Sequence, residues 1–361
     1  MCLKNKKYEI IKKAIENEIS VDNYLFEKLN YGSKKLSIFK MLRFKDKIPL
    51  WISVLSSILI PIYFAIEFFV FFGRSRNTSN LENDQYFLSF SNSPKVIAIY
   101  EEYASDIEFL QCINNKVYCF VGYLSPLVIL KSFIHSIILY FKMIFFVNIK
   151  YYLHLTAIFE LILFYEFVIV LNKRNINKIC VVNHYDRWLT VLSNIGNFDI
   201  EIIQHGILTE NYVVKHKIPN ISFLKVFDKS QLSIFLKNIL EGIPNKIDYM
   251  KISLDINFSD KCEVLIISNP FFINQELLLY KFLKDKGIKV FFRPHPLYIN
   301  EEIKSVVEND ELCLGKRFPY PNVCLCNEST LGKEYEAMGF KVLWWNQNTD
   351  FHKIWNLVNN A

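Results

Sequence analysis

The sequence predicts an α/β protein with two successive layers of parallel sheet, preceded by a helical and apolar N-terminal region. Three observations predict this class. Short β-branched runs alternate with helix-like segments from residue 178 onward, which is the spacing of βαβ units. Polar clusters follow four of the predicted strands. The chain also has 361 residues, more than one compact core usually serves.

Composition indicates a folded chain with some affinity for membranes. Hydrophobic residues make up 52% of the chain and aromatic residues 16%, which excludes disorder. The net charge is +6 and the lysines are scattered, a pattern that favours an anionic membrane surface over nucleic acid. The eight cysteines stand singly apart from Cys324 and Cys326, and we interpret them as reduced, mostly buried residues.

Residues 1–94 are predicted to form a helical, membrane-associating region. Residues 1–45 have the pattern of basic amphipathic helices. The segment 48–66 carries no charge and is long enough, at ~1.5 Å per residue, to cross a ~30 Å hydrocarbon layer. Prolines and a glutamate in this region argue against a straight spanning helix. The sequence therefore leaves three forms of segment 48–72 open, namely a spanning helix, an interfacial hairpin and a buried helix.

Residues 95–245 are predicted to form the first α/β domain. The run "KVIAIY" (95–100) has the composition of a buried strand, and it follows a polar loop over 74–94. The stretches 127–147 and 151–171 are apolar with charges at intervals, which is typical of long core helices with one wet or interfacial face. Beyond them, "KICVVNH", "DIEIIQHG" and "ISFLKVFD" are predicted strands, separated by helices.

Residues 260–361 are predicted to form the second α/β domain, after a connection over 242–260. Strands are predicted at "CEVLIIS", "IKVFFRPHP", "NVCLCNEST" and "KVLWWN", with helices between them. In such sheets ligands bind beyond the carboxyl ends of the strands. The four polar clusters "NHYDRW", "QHG", "RPHP" and "NEST" all follow predicted strands, so the sequence predicts functional residues in both domains.

The polar clusters of the second domain predict an anion site. Arg293 and His295 each precede a proline, which holds both in extended backbone at a strand tip. Asn327, Ser329 and Thr330 lie where the next strand turns into a helix, and a helix N-terminus attracts anions through its unpaired N–H groups and its dipole. Ser329 and Thr330 would also serve as plain helix caps. As ligands, these groups fit a monophosphate or a diphosphate.

The first domain offers two candidates for a general base. His205 ends a predicted strand, and Gly206 after it would allow a tight turn and a close backbone approach. Asp186 follows another strand and precedes a helix, where it would equally suit a helix cap. The sequence alone does not choose between His205 and Asp186, and a histidine that is simply satisfied at a strand end stays open for His205.

Several motifs are missing from the sequence, and this narrows the chemistry. A GxGxxG or GxxxxGK[ST] loop is absent, which counts against a dehydrogenase and a P-loop enzyme. A GxSxG elbow is also absent, as is an Asp-x-Asp pair of the kind that holds a diphosphate through a divalent cation. The sequence predicts a site without cofactor or metal, in which arginine, histidine, hydroxyls and a helix dipole neutralise phosphate.

On these residues the chain resembles the GT-B glycosyltransferases, the two-Rossmann-domain enzymes of bacterial capsule, O-antigen and lipooligosaccharide assembly. It is most similar to enzymes with an Arg/Lys-x-His-Pro motif and a Ser-Ser or Ser-Thr motif, here "RPHP" and "NEST". Bacterial sialyltransferases, Kdo transferases and teichoic-acid polyol-phosphate polymerases are such enzymes. The resemblance covers mainly residues 178–346 and implies that His295, Ser329 and Thr330 bind the phosphate of the donor nucleotide.

The same resemblance assigns roles to two more residues. In "EYEAMGFKV" it implies that Glu336 lies near the nucleotide ribose. In "QHG" it implies that His205 lies at the reaction centre, in the domain that would hold the acceptor. The Glu/Asp-Asp-Gly motif that carries the base of bacterial sialyltransferases is absent, which counts against a sialic-acid donor.

The resemblance implies an inverting, metal-independent GT-B glycosyltransferase. It would move a sugar from a nucleotide-activated donor, a CMP-sugar being one candidate, to a lipid-linked or growing bacterial surface glycan such as lipopolysaccharide. Its expected partners are the nucleotide sugar, a glycan or glycolipid acceptor and the cytoplasmic membrane, with no nucleic acid. Its expected place is the cytoplasmic face of the bacterial inner membrane. Two alternatives stay open: a CDP-polyol phosphotransferase of the teichoic-acid polymerase type, and a non-catalytic subunit of a polysaccharide assembly machine.

Overall fold

The computed structural model places the chain in two compact units. It describes residues 2–29, 50–74, 81–91, 94–114, 117–147, 149–182, 187–250, 254–269, 272–295, 301–315, 317–327, 329–346 and 348–359. One unit comprises Met1–Phe26 and Leu36–Met250, and the other comprises Glu27–Lys35 and Lys251–Ala361. We call these the first unit and the second unit.

A six-stranded parallel sheet forms the centre of the first unit. The strands of this unit are β1 (Gln85–Ser89), β2 (Glu108–Gln111), β3 (Ile113–Asn114), β4 (Val117–Tyr118), β5 (Lys178–Val181), β6 (Asp199–Ile203), β7 (Ile221–Val226) and β8 (Lys246–Tyr249). The sheet has the spatial order β2-β1-β5-β6-β7-β8, and every neighbouring pair is parallel. β3 and β4 form a separate antiparallel hairpin. Strands buried on both faces need apolar residues on both, so β5 and β6 are nearly continuous apolar runs.

Helices surround this sheet. They are α1 (Cys2–Leu29), α2 (Leu50–Arg74), α3 (Pro94–Tyr103), α4 (Pro126–Met143), α5 (Ile158–Lys173), α6 (Arg187–Ile195) and α7 (Lys229–Ile234), which continues as a π turn over Phe235–Ile239. All of them except α3 contribute to one shared core, and α3 packs against the sheet in a second, smaller core. α5 is apolar on all sides and is buried along most of its length, as a central core helix must be. Ser125 begins α4 by accepting a hydrogen bond from the N–H of Val128, which satisfies one of the free donors of the first turn.

The strands predicted at "KICVVNH", "DIEIIQHG" and "ISFLKVFD" are confirmed as β5, β6 and β7. The strand predicted at "KVIAIY" is wrong, because residues 94–103 form α3, and β1 instead lies within the predicted polar loop. Pro94 stands at the first helical position, which its fixed φ favours. Val96 and Ile99, three residues apart, face the core. A short apolar run does not reveal its period, so sequence alone cannot separate the two structures here.

The domain boundary predicted at residues 94/95 does not separate compact units. β1 lies on the N-terminal side of that boundary, yet it pairs with β2 on one side and with β5 on the other. Residues of α1 and α2 also belong to the same core as the sheet. The connection predicted over 242–260 is partly wrong as well, because β8 occupies Lys246–Tyr249 and a strand of the second unit begins at Ile256.

α2 answers part of the question left open for segment 48–72. Leu50–Arg74 is one continuous helix with Pro61 inside it, so the hairpin is wrong for these residues. One side of the helix is buried, at Ile60, Phe64, Glu67 and Phe71. The opposite side is exposed, so α2 is not a fully buried helix either. Residues 30–49, which include the end of the predicted basic region and the start of this segment, lie outside the described residues.

Within the described ranges, two stretches are long and apolar enough to cross a membrane: Pro126–Met143 and Tyr151–Lys173. The second is 72% buried inside the unit and is by its packing a core helix, whereas the first is only 33% buried. Length and composition alone make neither a membrane span. The prediction of a long core helix over 151–171 is confirmed in its α5 part, and the exposed face predicted for 127–147 is present on α4.

The second unit is built on a four-stranded parallel sheet. Its strands are β9 (Ile256–Ile267), β10 (Val290–Arg293), β11 (Phe318–Cys326) and β12 (Lys341–Trp344), in the spatial order β10-β9-β11-β12. Its helices are α8 (Ile273–Asp285), α9 (Glu301–Val306), α10 (Thr330–Ala337) and α11 (Phe351–Asn359). Alternate residues of β9 face two separate cores, with Ile266 in one and Leu265 in the other. The predicted fold class, α/β with two Rossmann-type parallel sheets as in a GT-B-like chain, is confirmed.

Candidate functional site

Both sheets have the same kind of strand order, and this order marks one candidate site in each unit. In the second unit the chain moves from β9 to β10 on one side and then crosses to β11 on the other side of β9. In the first unit it moves from β1 to β2 and then crosses to β5. Ligands of open α/β sheets bind beyond the carboxyl ends of the strands at such reversal points. The expected sites therefore lie beyond β9 and β11, and beyond β1 and β5.

His205 lies two residues beyond β6, the strand next to β5 in the first unit. Its Nδ1 is 2.7 Å from the carbonyl oxygen of Val182, just past the end of β5. A carbonyl oxygen only accepts hydrogen bonds, so Nδ1 carries the proton and Nε2 of the neutral ring carries the lone pair. The half-buried ring is thereby held in a tautomer that a general base needs.

A buried pair of glutamines holds the loop that carries His205. The side-chain amide of Gln204 donates to the Oε1 of Gln231 at 2.6 Å and to the carbonyl of Gly206 at 2.7 Å. Gln231 in turn accepts from the N–H of Leu208 at 2.8 Å and donates to its carbonyl at 3.1 Å. Both glutamines are buried, so these bonds are made away from water and fix the loop on either side of His205.

The other predictions for this edge of the first unit have mixed outcomes. Asp186 lies outside the described residues, so its role as general base or cap stays a prediction. A Cβ added at Gly206 would meet nothing within 4 Å, and its φ is not left-handed. Neither a left-handed φ nor a close contact among the described residues therefore requires glycine here, and the tight turn and close backbone approach that Gly206 would allow stay predictions.

Arg187, the residue directly after Asp186, is the first residue of α6. Its guanidinium donates two hydrogen bonds of 3.0 Å to the carboxylate of Glu18 and one of 2.6 Å to Glu160. Burial alone would lower the pKa of Arg187, but the two carboxylates outweigh it and raise the pKa. The ion pairs join α1, α5 and α6 at this edge of the first unit.

In the second unit, Arg293 ends β10 and is 8% exposed. Its terminal N–H groups donate to the carbonyls of Arg317 at 2.6 Å and Gly315 at 2.5 Å, and its guanidinium stacks 4.4 Å from the ring centre of Phe318. Burial lowers the pKa of the guanidinium. In this conformation Arg293 fixes the loop before β11, and its role as a phosphate ligand stays a prediction. His295, two residues further on, is half-buried at the same edge.

The reversal point of the second unit contains a buried polar network. Ser268 and Asn269 follow β9 directly, and both bind the carboxyl group of Glu276, the Ser268 hydroxyl at 2.5 Å and the Asn269 N–H at 2.9 Å. The Asn269 side chain donates to the carbonyl of Asn327 at 2.9 Å and so joins the ends of β9 and β11. The Nδ2 of Asn327 is buried without a hydrogen-bond acceptor among the described residues. Such a donor is available to a ligand at this point.

The start of α10 is both a helix cap and a possible anion site. The Oγ of Ser329 accepts from the N–H of Gly332 at 3.5 Å, so the capping alternative for Ser329 is present in the structure. Thr330 is the first helical residue and is half-buried. Gly332 lies so close to β11 that an added Cβ would be 2.6 Å from the Sγ of Cys326. The first turn of α10 thus packs closely against β11, the strand that precedes it in the chain.

Glu336 lies one turn further along α10, away from the helix start. Its carboxylate accepts from the Nζ of Lys333 at 2.7 Å and from the Nε1 of Trp344 at 3.2 Å. Trp344 ends β12, is 39% exposed, and has Lys333 5.0 Å above its ring. Glu336 thus belongs to a surface group with an exposed aromatic ring, and its role at a ribose stays a prediction.

The second unit therefore gathers most of the predicted donor residues at one carboxyl edge of its sheet. Arg293 and His295 follow β10, and Asn327, Ser329 and Thr330 follow β11, with β9 between these two strands. Sequence reasoning missed Asn269, Glu276 and Gln231. Asn269 was within reach of the rule used for the other clusters, because it directly follows the predicted strand "CEVLIIS". Glu276 was not, since it lies inside α8 and reaches the strand end through tertiary contacts. Gln231 carries no such signal, since it lies inside a helix and acts through tertiary contacts.

Metal ligands and disulfides do not add to these sites in the part of the chain that is described. No group of three or more His, Cys, Asp or Glu side chains there could hold a metal ion. The metal-independent chemistry expected from the sequence stays a prediction. Seven of the described cysteines are unpaired and, except for Cys119, buried: Cys112, Cys119, Cys180, Cys262, Cys313, Cys324 and Cys326. Burial raises the pKa of the Cys324 and Cys326 thiols, which suits inert core residues.

Comparison with known proteins shows a slight structural likeness. No known protein family and no curated protein matches the sequence. Among solved structures, a crystal structure of a GtfA/B glycosyltransferase complex is similar to this chain, with a TM-score of 0.30 and 9% sequence identity. The match covers 53% of this chain and 46% of that one, so it spans about half of each. The fold assignment rests on the two parallel sheets themselves.

Proposed function

We propose that this chain is a glycosyltransferase that moves a sugar from a nucleotide-activated donor to a growing bacterial surface glycan. The observation that carries the proposal is the reversal point of the second sheet, where a buried amide donor of Asn327 and the start of α10 lie beyond adjacent strands β9 and β11. A phosphate suits this point, because N–H donors and a helix N-terminus attract anions without a metal.

The donor would be held by the second unit. The diphosphate or monophosphate of the nucleotide accepts hydrogen bonds from Asn327 and from the N–H groups at the start of α10, beside the Thr330 hydroxyl. His295 contributes a further donor from the neighbouring strand end. Arg293 supports this edge by holding the loop at Gly315 and Arg317, and it remains a candidate for direct contact with the phosphate. Glu336 and Trp344 form the outer part of the site, where the ribose and base would lie.

Transfer would invert the anomeric centre and need one general base. The acceptor hydroxyl oxygen attacks the anomeric carbon while the bond from that carbon to the phosphate oxygen breaks. The bonding electrons remain on the phosphate, and the hydroxyl proton moves to the base. His205 suits this role because it lies at the carboxyl edge of the first sheet and its ring is oriented by the hydrogen bond from Nδ1 to the Val182 carbonyl. Asp186 is the alternative base.

The acceptor is proposed to be lipid-linked, at the cytoplasmic face of the bacterial inner membrane, as in capsule, O-antigen or lipopolysaccharide assembly. The apolar faces of α2 and α4 support membrane attachment. The sugar, linkage and nucleotide are open. A CDP-polyol donor would make the chain a phosphotransferase with the same phosphate site, so the nucleotide that binds separates these two readings.

Nucleotide-dependent thermal unfolding tests the proposal. Detergent-purified protein is unfolded with CMP, CDP, UDP or GDP at millimolar concentration, and a ligand at ~100 times its dissociation constant should add about 2.7 kcal/mol of stability. We expect one nucleotide to stabilise the wild type and to lose most of that effect in His295→Ala and Asn327→Leu. His352→Ala, which removes an exposed histidine from α11 of the same unit, is the matched control and should respond like the wild type.

The identity of the nucleotide then decides the donor class. CMP indicates a sialic-acid or Kdo donor, CDP a polyol phosphate, and UDP or GDP a hexose. Release of that nucleotide from the matching donor, in the presence of membrane lipid extract, should stop in His205→Ala while nucleotide binding persists. Binding without release in the wild type would favour a non-catalytic subunit. Folded protein that responds to none of the four nucleotides would overturn the proposed donor site.

A further inference from the structure

Two helices of the first unit expose apolar side chains where a water-facing surface would carry polar ones. On α2 the exposed side includes Ile58, Ile62, Ile66 and Phe69, which follow one another at helical spacing. Phe69 is 73% exposed, while Phe64, on the opposite side, is fully buried. α2 is therefore apolar on both sides over residues 58–72, and only one of those sides packs against other residues that the structure describes.

α4 exposes apolar side chains along its outer side, while two serines lie on its buried side among Ile129, Leu139, Tyr140 and Met143. Its buried side includes Ser132 and Ser136, whereas its exposed side carries only large apolar residues between its lysines. These exposed residues are Leu127, Leu130, Ile134, Ile138 and Phe141, and the line continues past the helix end to Phe145 and Phe146. Phe145 is 85% exposed. A helix that faces water usually carries polar residues on its outer side, so the apolar outer side of α4 indicates contact with an apolar environment.

The two exposed sides belong to one surface, because α2 and α4 pack against each other. The ring centres of Phe68 on α2 and Phe133 on α4 lie 4.9 Å apart, and those of Phe64 and Tyr140 lie 6.1 Å apart. Most of the large apolar side chains that are exposed among the described residues lie on these two helices and the turn after α4. We call this surface, formed by residues 58–72 of α2 and 127–146, the α2–α4 face.

Charge on the α2–α4 face identifies the partner. The sequence of α4 contains no acid, and the one acid of α2, Glu67, is turned inward and buried. Lys131, Lys142 and Arg74 are exposed on or beside the face, and Lys12 of α1 lies 5.7 Å from the ring centre of Phe146. Apolar side chains within a cationic rim fit a bilayer with anionic headgroups. A second copy fits less well, because a two-fold interface would set the same cations against each other.

We propose that the α2–α4 face docks on an anionic lipid bilayer, with both helices lying in the plane of the membrane interface and not crossing it. Each helix has one side in contact with the protein core and one side for lipid, which is the arrangement of an interfacial anchor. The inference deepens the membrane attachment proposed above. It uses no property of the nucleotide site, so either proposal can fail while the other stands.

Vesicle flotation of the full-length protein, without nucleotide or acceptor, tests this inference. Vesicles of phosphatidylcholine with and without ~30% phosphatidylglycerol are compared, since each basic residue at an anionic surface contributes about fivefold in affinity. We expect the wild type to float with the anionic vesicles and the triple variant Ile134→Glu/Phe141→Glu/Phe145→Glu to lose at least about tenfold in binding. Lys131→Ala/Lys142→Ala should lose roughly as much on anionic vesicles and little on neutral ones.

Matched controls come from the rest of the chain. Phe258→Glu in β9 and Ile243→Glu place the same charge at apolar residues that are 66% and 76% exposed outside the α2–α4 face, and both should float like the wild type. Circular dichroism establishes that every variant is folded. Equal flotation of the triple variant and the wild type would overturn the inference. The inference would also be overturned if the wild type fails to float and is dimeric while the triple variant is monomeric. The α2–α4 face would then be an interface between copies of this chain.

Discussion

His205 and its neighbour Gln204 have different roles: His205 presents its ring at the strand end, and Gln204 holds the loop in place. The imidazole is presented at the strand end with Nδ1 bound to Val182, while the buried amide of Gln204 bonds to Gln231 and to the loop backbone. The hydrogen bonds of Gln204 and Gln231 restrict the motion of this loop, which at a protein surface would otherwise be mobile. A general base needs a ring nitrogen at a defined position, and the bond to Val182 together with the held loop orients the ring in this way.

Glu276 is the second residue whose environment differs sharply from water. It is fully buried at the reversal point of the second sheet, and burial raises the pKa of its carboxyl from 4.5 to about 8, although the bonds from Ser268 and Asn269 act in the opposite direction. Between these two values the folded protein holds a proton that the unfolded chain has released. The contribution of Glu276 to stability is therefore highest at and below about pH 4.5 and falls as the pH rises toward 8.

Glu276→Gln should remove this share of the pH dependence. The amide is neutral at every pH and keeps the shape of the protonated acid, so the loss of about 1.4 kcal/mol per pH unit between roughly pH 5 and 8 should disappear. Denaturant unfolding of wild type and variant at pH 5.5, 7 and 8.5 measures the difference. Above pH 8 the variant should be the more stable protein.

The matched control for this prediction is Glu301→Gln on α9, where the side chain is 91% exposed. It should leave the pH dependence of the wild type unchanged. Burial also raises the pKa of Glu67 in the first unit to about 8, so part of the slope will remain in Glu276→Gln. Parallel curves for the wild type and Glu276→Gln would show that the carboxyl is not protonated in the folded state.

At the scale of elements, the contact between α10 and its sheet depends on one glycine. A Cβ at Gly332 would lie 2.6 Å from the Sγ of Cys326 in β11 and 2.9 Å from the ring of Trp344 at the end of β12. Both neighbours are side chains of the sheet that α10 covers, and Cys326 is fully buried. The helix start can therefore approach the strand ends only because this position has no side chain.

Gly332→Ala should destabilise the second unit by about 1–3 kcal/mol, the usual range for overpacking, even though alanine is the better helix former. The double variant Gly332→Ala/Cys326→Ala should recover part of that loss, because it removes the sulfur that the new methyl group meets. Thermal unfolding measures both. Gly242→Ala, where a Cβ meets nothing within 4 Å, should change stability by less than about 0.5 kcal/mol. A stabilised Gly332→Ala would contradict the close contact.

Elements also show where sequence reasoning succeeds and where it fails. Strands β5 to β7, β10, β12 and the second halves of β9 and β11 were predictable because each is a short apolar run bounded by turn residues. β8 and the first half of β9 were missed, because they fall in the connection predicted over 242–260. The strand prediction for "KVIAIY" failed because a run of five apolar residues fits a short helix as well as a strand. β1, "QYFLS", was assigned to a loop because its flanks are polar, and only its pairing with β2 and β5 makes it a strand.

On the scale of the whole first unit, Arg187 connects parts of the chain that are far apart in sequence. Arg187 is the first residue of α6, and its guanidinium binds Glu18 in α1 and Glu160 in α5. The side chains of Arg187 and Glu160 are only 13% and 8% exposed, so this ion pair is shielded from solvent. Removing one partner of a buried pair leaves the other charge without compensation, and this is costly.

Arg187→Met should destabilise the first unit by roughly 3–5 kcal/mol, because it leaves Glu160 buried without its cation. Lys215→Met removes the exposed pair between Lys215 and Glu16, whose lysine is 55% exposed, and should cost less than about 1 kcal/mol. Denaturant unfolding gives the free energies, and amide hydrogen exchange shows which strands lose protection. Loss confined to β5 and β6 agrees with the prediction, whereas equal effects of the two variants would contradict it.

The sequence by itself determined the α/β class, the succession of strands and helices in residues 178–346, and the edges at which functional side chains would lie. It could do so because strand runs and the polar residues that follow them are local features of the chain. Tertiary structure decided the remainder. The place of β1 in the sheet, the tautomer of His205, the buried acceptor-free amide of Asn327 and the single surface formed by α2 and α4 all depend on contacts between distant residues. Such contacts form only when the chain folds, so no local pattern predicts them.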